Sequence, residues 1–185
     1  MKHKILFTLA CLTLHFTAAA TSLKATNGYV RFTAIGKPGF LKIRGESGAQ
    51  RPEGKIELRQ NFVEGEFSFD LSKLKTGIEL RDEHMKTKYL EVDKFPLAKL
   101  VLTPIPMTPQ ELKQDVTKAF KGMLTLHGVT REISGTSRFR GNEQTIDAKF
   151  NIELSDYGIA IPEHMGITVS KVAEVEVHLK LQIGE

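Results

Sequence analysis

The chain has 185 residues, with 26 Lys and Arg against 22 Asp and Glu and a single cysteine, Cys11. Its formal charge of +4 is mixed in sign along the chain, without the basic stripe that nucleic-acid binding requires. One thiol excludes an internal disulfide and a cysteine-built metal site.

Lys2, His3 and Lys4 precede an apolar run from Ile5 to Phe16, and Thr17-Ala18-Ala19-Ala20 follows. A basic start, a short apolar middle and small residues at the end predict a secretory leader. The run is short for a membrane span, which needs roughly 20 residues. Cleavage after Ala20 would divide the chain into a leader, 1–20, and one domain, 21–185, with no transmembrane segment in the mature chain. It would place that domain in the periplasm or outside the cell. Lys2 and Lys4 leave with the leader, so the formal +4 falls to +2. Leu9-Ala10-Cys11 also allows a lipoprotein reading, but the apolar run continues through Leu12 and Leu14 beyond the cysteine.

Phe32 to Gly36 and Gly39 to Ile43 are the first strand-like segments, and Gly45 to Gly54 holds three glycines and Pro52, a turn signal. Lys55 to Arg59 and Phe67 to Leu71 alternate apolar with polar, which places one set of side chains on one face of a sheet. The spacing then changes. Across Thr76–Leu102, Met85, Tyr89 and Val92 fall at i, i+4 and i+7, one face of an amphipathic helix. Thr76-Gly77-Ile78-Glu79 has capping-box spacing, Asp82 and Lys86 fall at i, i+4, and Phe95-Pro96 is the expected stop.

Leu100, Leu102 and Ile105 resume a strand, but three prolines between Thr103 and Pro109 take the chain out of any central ladder. Thr108-Pro109-Gln110-Glu111 predicts a second short helical turn. Phe120 to Leu126 and Ile133 to Phe139 flank a turn at His127-Gly128, and Gly141-Asn142 turns the chain again. Ile146, Ala148, Phe150, Ile152 and Leu154 alternate with polar residues, as do Val175, Val177, Leu179, Leu181 and Ile183.

Every strong strand is thus apolar on one face and charged on the other. That argues against a parallel sheet covered on both sides and fits antiparallel strands around an apolar interior. Some eight such segments suit an all-β fold, an extended eight-stranded antiparallel barrel with one inserted amphipathic helix. A two-sheet sandwich would show the same alternation.

Four stretches carry a resemblance. Arg81-Asp82-Glu83-His84-Met85 with Phe95-Pro96-Leu97-Ala98, then Gly122 to Arg131, Tyr157-Gly158-Ile159 and Val172 to Val177 resemble, in order, the motifs of the YceI-like family of bacterial secreted proteins. The resemblance implies a lipocalin-like barrel with a long apolar cavity. It also implies a long isoprenoid, an isoprenoid quinone or another lipid as ligand, held in the periplasm without catalysis. The chain departs from the family pattern at Lys37-Pro38-Gly39, in having no Trp, and in the proline-rich insert at 103–109.

The candidate cavity wall is Phe32, Phe40, Phe67, Phe69, Leu100, Phe120, Leu124, Phe139, Phe150, Ile152 and Val177, with Met85, Tyr89 and Leu90 from the helix. The same residues could instead pack a filled barrel, which would suit a stress-related structural or interaction protein of the cell envelope. His84, His127, His164 and His178 remain after cleavage, but no pair has HExxH spacing, and no metal site or cofactor is expected. His127 is expected at a turn surface. With no thiol, GxSxG elbow or phosphate loop in the mature chain, a hydrolase is the weakest reading. Glu64 and Glu66 belong to a solvated strand face. The helix is expected to lie as a lid across one barrel opening.

Overall fold

The computed structural model describes residues 21–37, 41–164 and 166–183. The expected leader, Cys11 and Phe40 lie outside them. The strands are β1 (Thr21–Lys37), β2 (Leu41–Glu46), β3 (Glu53–Arg59), β4 (Phe62–Asp70), β5 (Leu97–Leu102), β6 (Ile105–Pro106), β7 (Asp115–Leu126), β8 (Val129–Arg140), β9 (Thr145–Glu153), β10 (Glu163–His164) and β11 (Ile167–Ile183). Antiparallel neighbours run β1-β3-β4-β5-β7-β8-β9-β11, and β11 pairs back onto β1 to close an eight-stranded barrel. β2, β6 and β10 are short additions on β1, β4 and β11. The barrel prevails over the sandwich because β1 and β11 pair along nearly their whole length, which leaves the eight strands no free edge.

Alternation builds the wall. On β7, Phe120, Leu124 and Leu126 are buried while Lys121 and Met123 face out. On β11, Ala173, Val175, Leu179 and Leu181 are buried in the same way. The hairpin between β7 and β8 closes on His127 and Gly128, both with positive φ (51° and 76°), the twist a two-residue turn demands.

β1 starts well before Phe32. Leu23 and Ala25 point inward, Thr26 is an extra residue in the β11 register, and the inward set then shifts to Gly28, Val30 and Ala34. That bulge breaks the period of two, so sequence alternation misses the strand's first half. β1 also changes partner, from β3 below to β2 above. At the changeover the Val30 amide donates to Ser47 Oγ at 2.9 Å.

The helix is shorter than its spacing suggests. α1 spans Glu79–His84 and passes into a wider π turn, Met85–Tyr89. Glu91, at φ 43°, reverses the chain before Phe95-Pro96 is reached. The cap also differs. Asp82, not Glu79, accepts from the Thr76 amide at 2.6 Å and from its hydroxyl, so Asp82 turns back rather than forward to Lys86.

At the other end of the barrel, the Thr108 amide donates to Glu111 Oε2 at 2.8 Å and the Glu111 amide returns to Thr108 Oγ1 at 3.3 Å. This reciprocal cap holds a single 3₁₀ turn, Glu111–Lys113, where the sequence predicts a short helical turn. Ile105 and Met107, on either side of Pro106, are buried, and the Met107 amide bonds Asn61 O. The proline-rich insert thereby forms a floor across the lower end.

Candidate functional site

A cavity of about 600 Å³ runs through the barrel, within the range of small-molecule sites. Buried residues around it form two clusters. The upper one includes Phe69, Leu71, Phe120, Leu124, Phe150 and Val175; the lower one includes Leu23, Ile56, Val63, Met107, Phe139 and Leu181. Val177 packs against both. Its register partners Val30 and Ala148, with Ser137 beyond Ala148, make a waist of small side chains joining the chambers.

The large side chains leave the centre open because three phenylalanines lie against glycine. Phe32 pairs with Gly45, Phe67 with Gly54 and Phe120 with Gly135. A Cβ on Gly135 would fall 2.8 Å from the Phe120 ring and one on Gly54 2.9 Å from Phe67, while one on Gly45 would collide with Phe32. Each ring therefore rests on the strand beside it instead of projecting across the bore. Phe120 meets Phe150 edge-on at 6.1 Å.

All the sequence-predicted wall residues except the undescribed Phe40 line this cavity: Phe32, Phe67, Phe69, Leu100, Phe120, Leu124, Phe139, Phe150, Ile152 and Val177 on the strands, Met85, Tyr89 and Leu90 on the helical segment. Alternation misses Leu23 because of the bulge, Leu74 because it follows a 3₁₀ turn, and Met107 and Leu112 because they belong to the floor. The one legible hint of the floor was the pair of apolar residues flanking Pro106.

Polar groups gather at the upper mouth, where Thr76, Arg81, His84, Lys88 and Glu163 line the opening. Arg81 donates to the hydroxyl and carbonyl of Thr76, both at 2.8 Å, which ties α1 to its own leading turn. Deeper in, the lining is aliphatic and aromatic apart from Ser68 and Ser137.

The far end of the helical segment is fastened by His127, and here the surface expectation is wrong. Its side chain is 12% exposed. Nε2 lies 2.9 Å from Glu91 Oε2, Nδ1 lies 3.0 Å from the Tyr157 carbonyl, and Phe95 packs on the ring at 4.6 Å. Both partners are acceptors, so the ring satisfies both only when it carries both protons. Lys94 first, and His127 second, hold the Glu91 carboxyl below the usual carboxylate range.

Tyr157 fills the seam where β8 and β9 part above the Gly135–Phe150 pair; it is 2% exposed. Burial, and next the charge of Asp156, push its phenol up. His178 stands elsewhere, bonded to Asp147 at 2.6 Å on the lower outer wall. Among the described residues, no three His, Cys, Asp or Glu side chains gather as metal ligands, and no helix is long and apolar enough to cross a membrane. Glu64 and Glu66 face outward, where Arg59 approaches Glu64 at 3.7 Å.

The sequence profile of the YceI-like domain matches residues 16–182. A UPF0312 protein of Pseudomonas savastanoi pv. phaseolicola is 36% identical across 54% of this chain and 61% of its own length. One of Pseudomonas fluorescens is 35% identical across 48% of each chain. The matches thus span about half to three fifths of the length of these curated relatives. Among solved structures, a polyisoprenoid binding domain from Saccharophagus degradans, implicated in plant cell wall breakdown, superposes with a TM-score of 0.65 at 18% identity, covering 89% of this chain and 98% of that one. BcnA of Burkholderia cenocepacia superposes with a TM-score of 0.61 at 18% identity, covering 83% and 96%. At such identity the likeness is one of fold.

Proposed function

We propose, from the premise that this chain belongs to the YceI-like family, that it is a non-catalytic periplasmic carrier of one long apolar chain: a polyisoprenoid, an isoprenoid quinone or another lipid. The observation that carries this reading is the continuous apolar tunnel, open above and floored below. Burying a methylene is worth about 0.8 kcal/mol, and association costs on the order of 4–15 kcal/mol. A tail of ~10 carbons barely meets that cost, whereas a longer one exceeds it. A narrow bore therefore favours length, and the polar mouth is left to hold a headgroup. The cavity itself speaks against the filled-barrel alternative.

The test is purification of the protein from its native envelope, solvent extraction and mass spectrometry, followed by titration with polyprenols and quinones. A stoichiometric long-chain lipid is the expected result. Protein that is repeatedly empty and also binds none of these lipids would refute the carrier role.

A further inference from the structure

The mouth of the tunnel is built unlike its wall. Leu41 at the start of β2, Ile78 just before α1 and Leu80 in its first turn all line the tunnel, yet they are 48%, 53% and 56% exposed. Every other aliphatic side chain lining it is buried or half-buried. The large exposed aliphatics of the cavity are thus gathered around its opening.

The charges beside them are sorted. Asp82 is taken up by Thr76, Glu46 by Arg31, and Glu91 by Lys94 and His127. Among the described residues, Lys42, Lys86 and Lys88 have no acidic partner, and Arg81 meets only the uncharged Thr76. Glu79, Glu83 and Glu163 remain against these four cations, so the rim is slightly cationic around an apolar ring.

We propose that this rim docks on an anionic phospholipid bilayer, with Leu41, Ile78 and Leu80 set among the acyl chains, so that the ligand passes between bilayer and tunnel without crossing water. The proposal rests on the carrier reading. Each methylene exposed during transfer adds to the barrier, and an apolar rim seated in the bilayer removes that exposure. Insertion of aliphatic side chains beside basic ones is how peripheral proteins hold an anionic membrane. A folded protein partner fits less well, because the ring surrounds a hole that a rigid surface would leave uncovered. A fluid bilayer conforms to it.

The experiment is flotation of the purified protein with phosphatidylethanolamine–phosphatidylglycerol vesicles, alongside the rate at which it loads a long-chain isoprenoid quinone. Loading is measured from those vesicles and from detergent micelles. Wild type should float, and less well with phosphatidylcholine alone. Ile78→Ser combined with Leu80→Ser should weaken flotation and vesicle loading by about tenfold, with a smaller loss of loading from micelles. Val101→Ser combined with Met123→Ser, a paired exposed site on the outer wall, should behave as wild type. Wild type that stays with the aqueous phase overturns the docking site, as do mouth variants that float and load normally or outer-wall variants that lose as much. If neither source loads the protein, the carrier reading fails, and flotation by itself still upholds or overturns the docking.

Discussion

Ala148→Phe separates a working tunnel from an ordinary core. Ala148 lies at the waist, between Ser137 on β8 and Val177 on β11, and faces the cavity. In a filled barrel the added ring would overpack and cost about 1–3 kcal/mol. In the structure as found it enters open space, so the midpoint of chemical denaturation should shift by less than the equivalent of about 1 kcal/mol. A phenyl ring displaces roughly four methylenes of a threaded chain, and at about 0.8 kcal/mol each the loss is about 3 kcal/mol. Affinity for a long polyprenol should therefore fall by about two orders of magnitude. A chain short enough for the upper chamber should lose much less. Urea denaturation and titration with polyprenols of graded length measure the two quantities on one sample. A destabilised variant that binds long chains as tightly as wild type would show that the waist is packed and that the chain does not pass it.

Gly45→Ala should swing Phe32 off the wall and into the bore, weakening long-chain binding with little loss of stability; unchanged affinity would mean that the ring finds another resting place. His127→Ala frees the end of the helical segment from Glu91 and from the Tyr157 carbonyl, so amide exchange across residues 85–95 should speed up by about tenfold, and ligand should escape faster. Unaltered protection there would show that Phe95 and Lys94 suffice. Lys118 first, and then the Thr108 amide, hold the Glu111 carboxyl at about 2. A depressed carboxylate stabilises the fold above its unfolded value of about 4.3 and loses that contribution as the pH falls through the folded value. The floor turn should hence stay protected at pH 4 and open towards pH 2, and Glu111→Gln should remove this acid dependence. A Glu111 carboxyl titrating at its unfolded value would contradict it.

The barrel was legible because its strands are half-buried. Phe120, Leu124, Phe150 and Val175 fall at even spacing on their strands, and alternation alone turns them towards the tunnel. The pattern fails wherever backbone geometry departs from a regular strand. Thr26 shifts the parity of β1 and hides Leu23; the π turn at Met85–Tyr89 lengthens the local repeat and ends the helix early. The helical face was still read correctly, since Met85, Tyr89 and Val92 all pack on the upper cluster. Harder to read was the hollowness. Phenylalanine at an inward position looks the same whether it fills a core or lies flat, and the difference resides in Gly45, Gly54 and Gly135 on neighbouring strands. Those pairings are set by register, which local spacing does not encode.

The same three glycines bear on how a hollow domain stays folded. Were the 600 Å³ a closed dry void, a cost of about 24 cal/mol per Å³ would come to about 14 kcal/mol, as much as the whole stability of an ordinary domain. Two features reduce that cost. The mouth is open, so its lining meets solvent, and the rings of Phe32, Phe67 and Phe120 rest on backbone, which keeps dispersion contacts on one face. What remains is a deficit along the bore that any apolar chain of the right width relieves. Occupancy and stability are then one linked quantity, since a ligand at a hundred times its Kd adds about 2.7 kcal/mol to folding. On the carrier reading, a wall that leaves its own aromatic faces uncovered between two packed clusters makes the empty state the costly one.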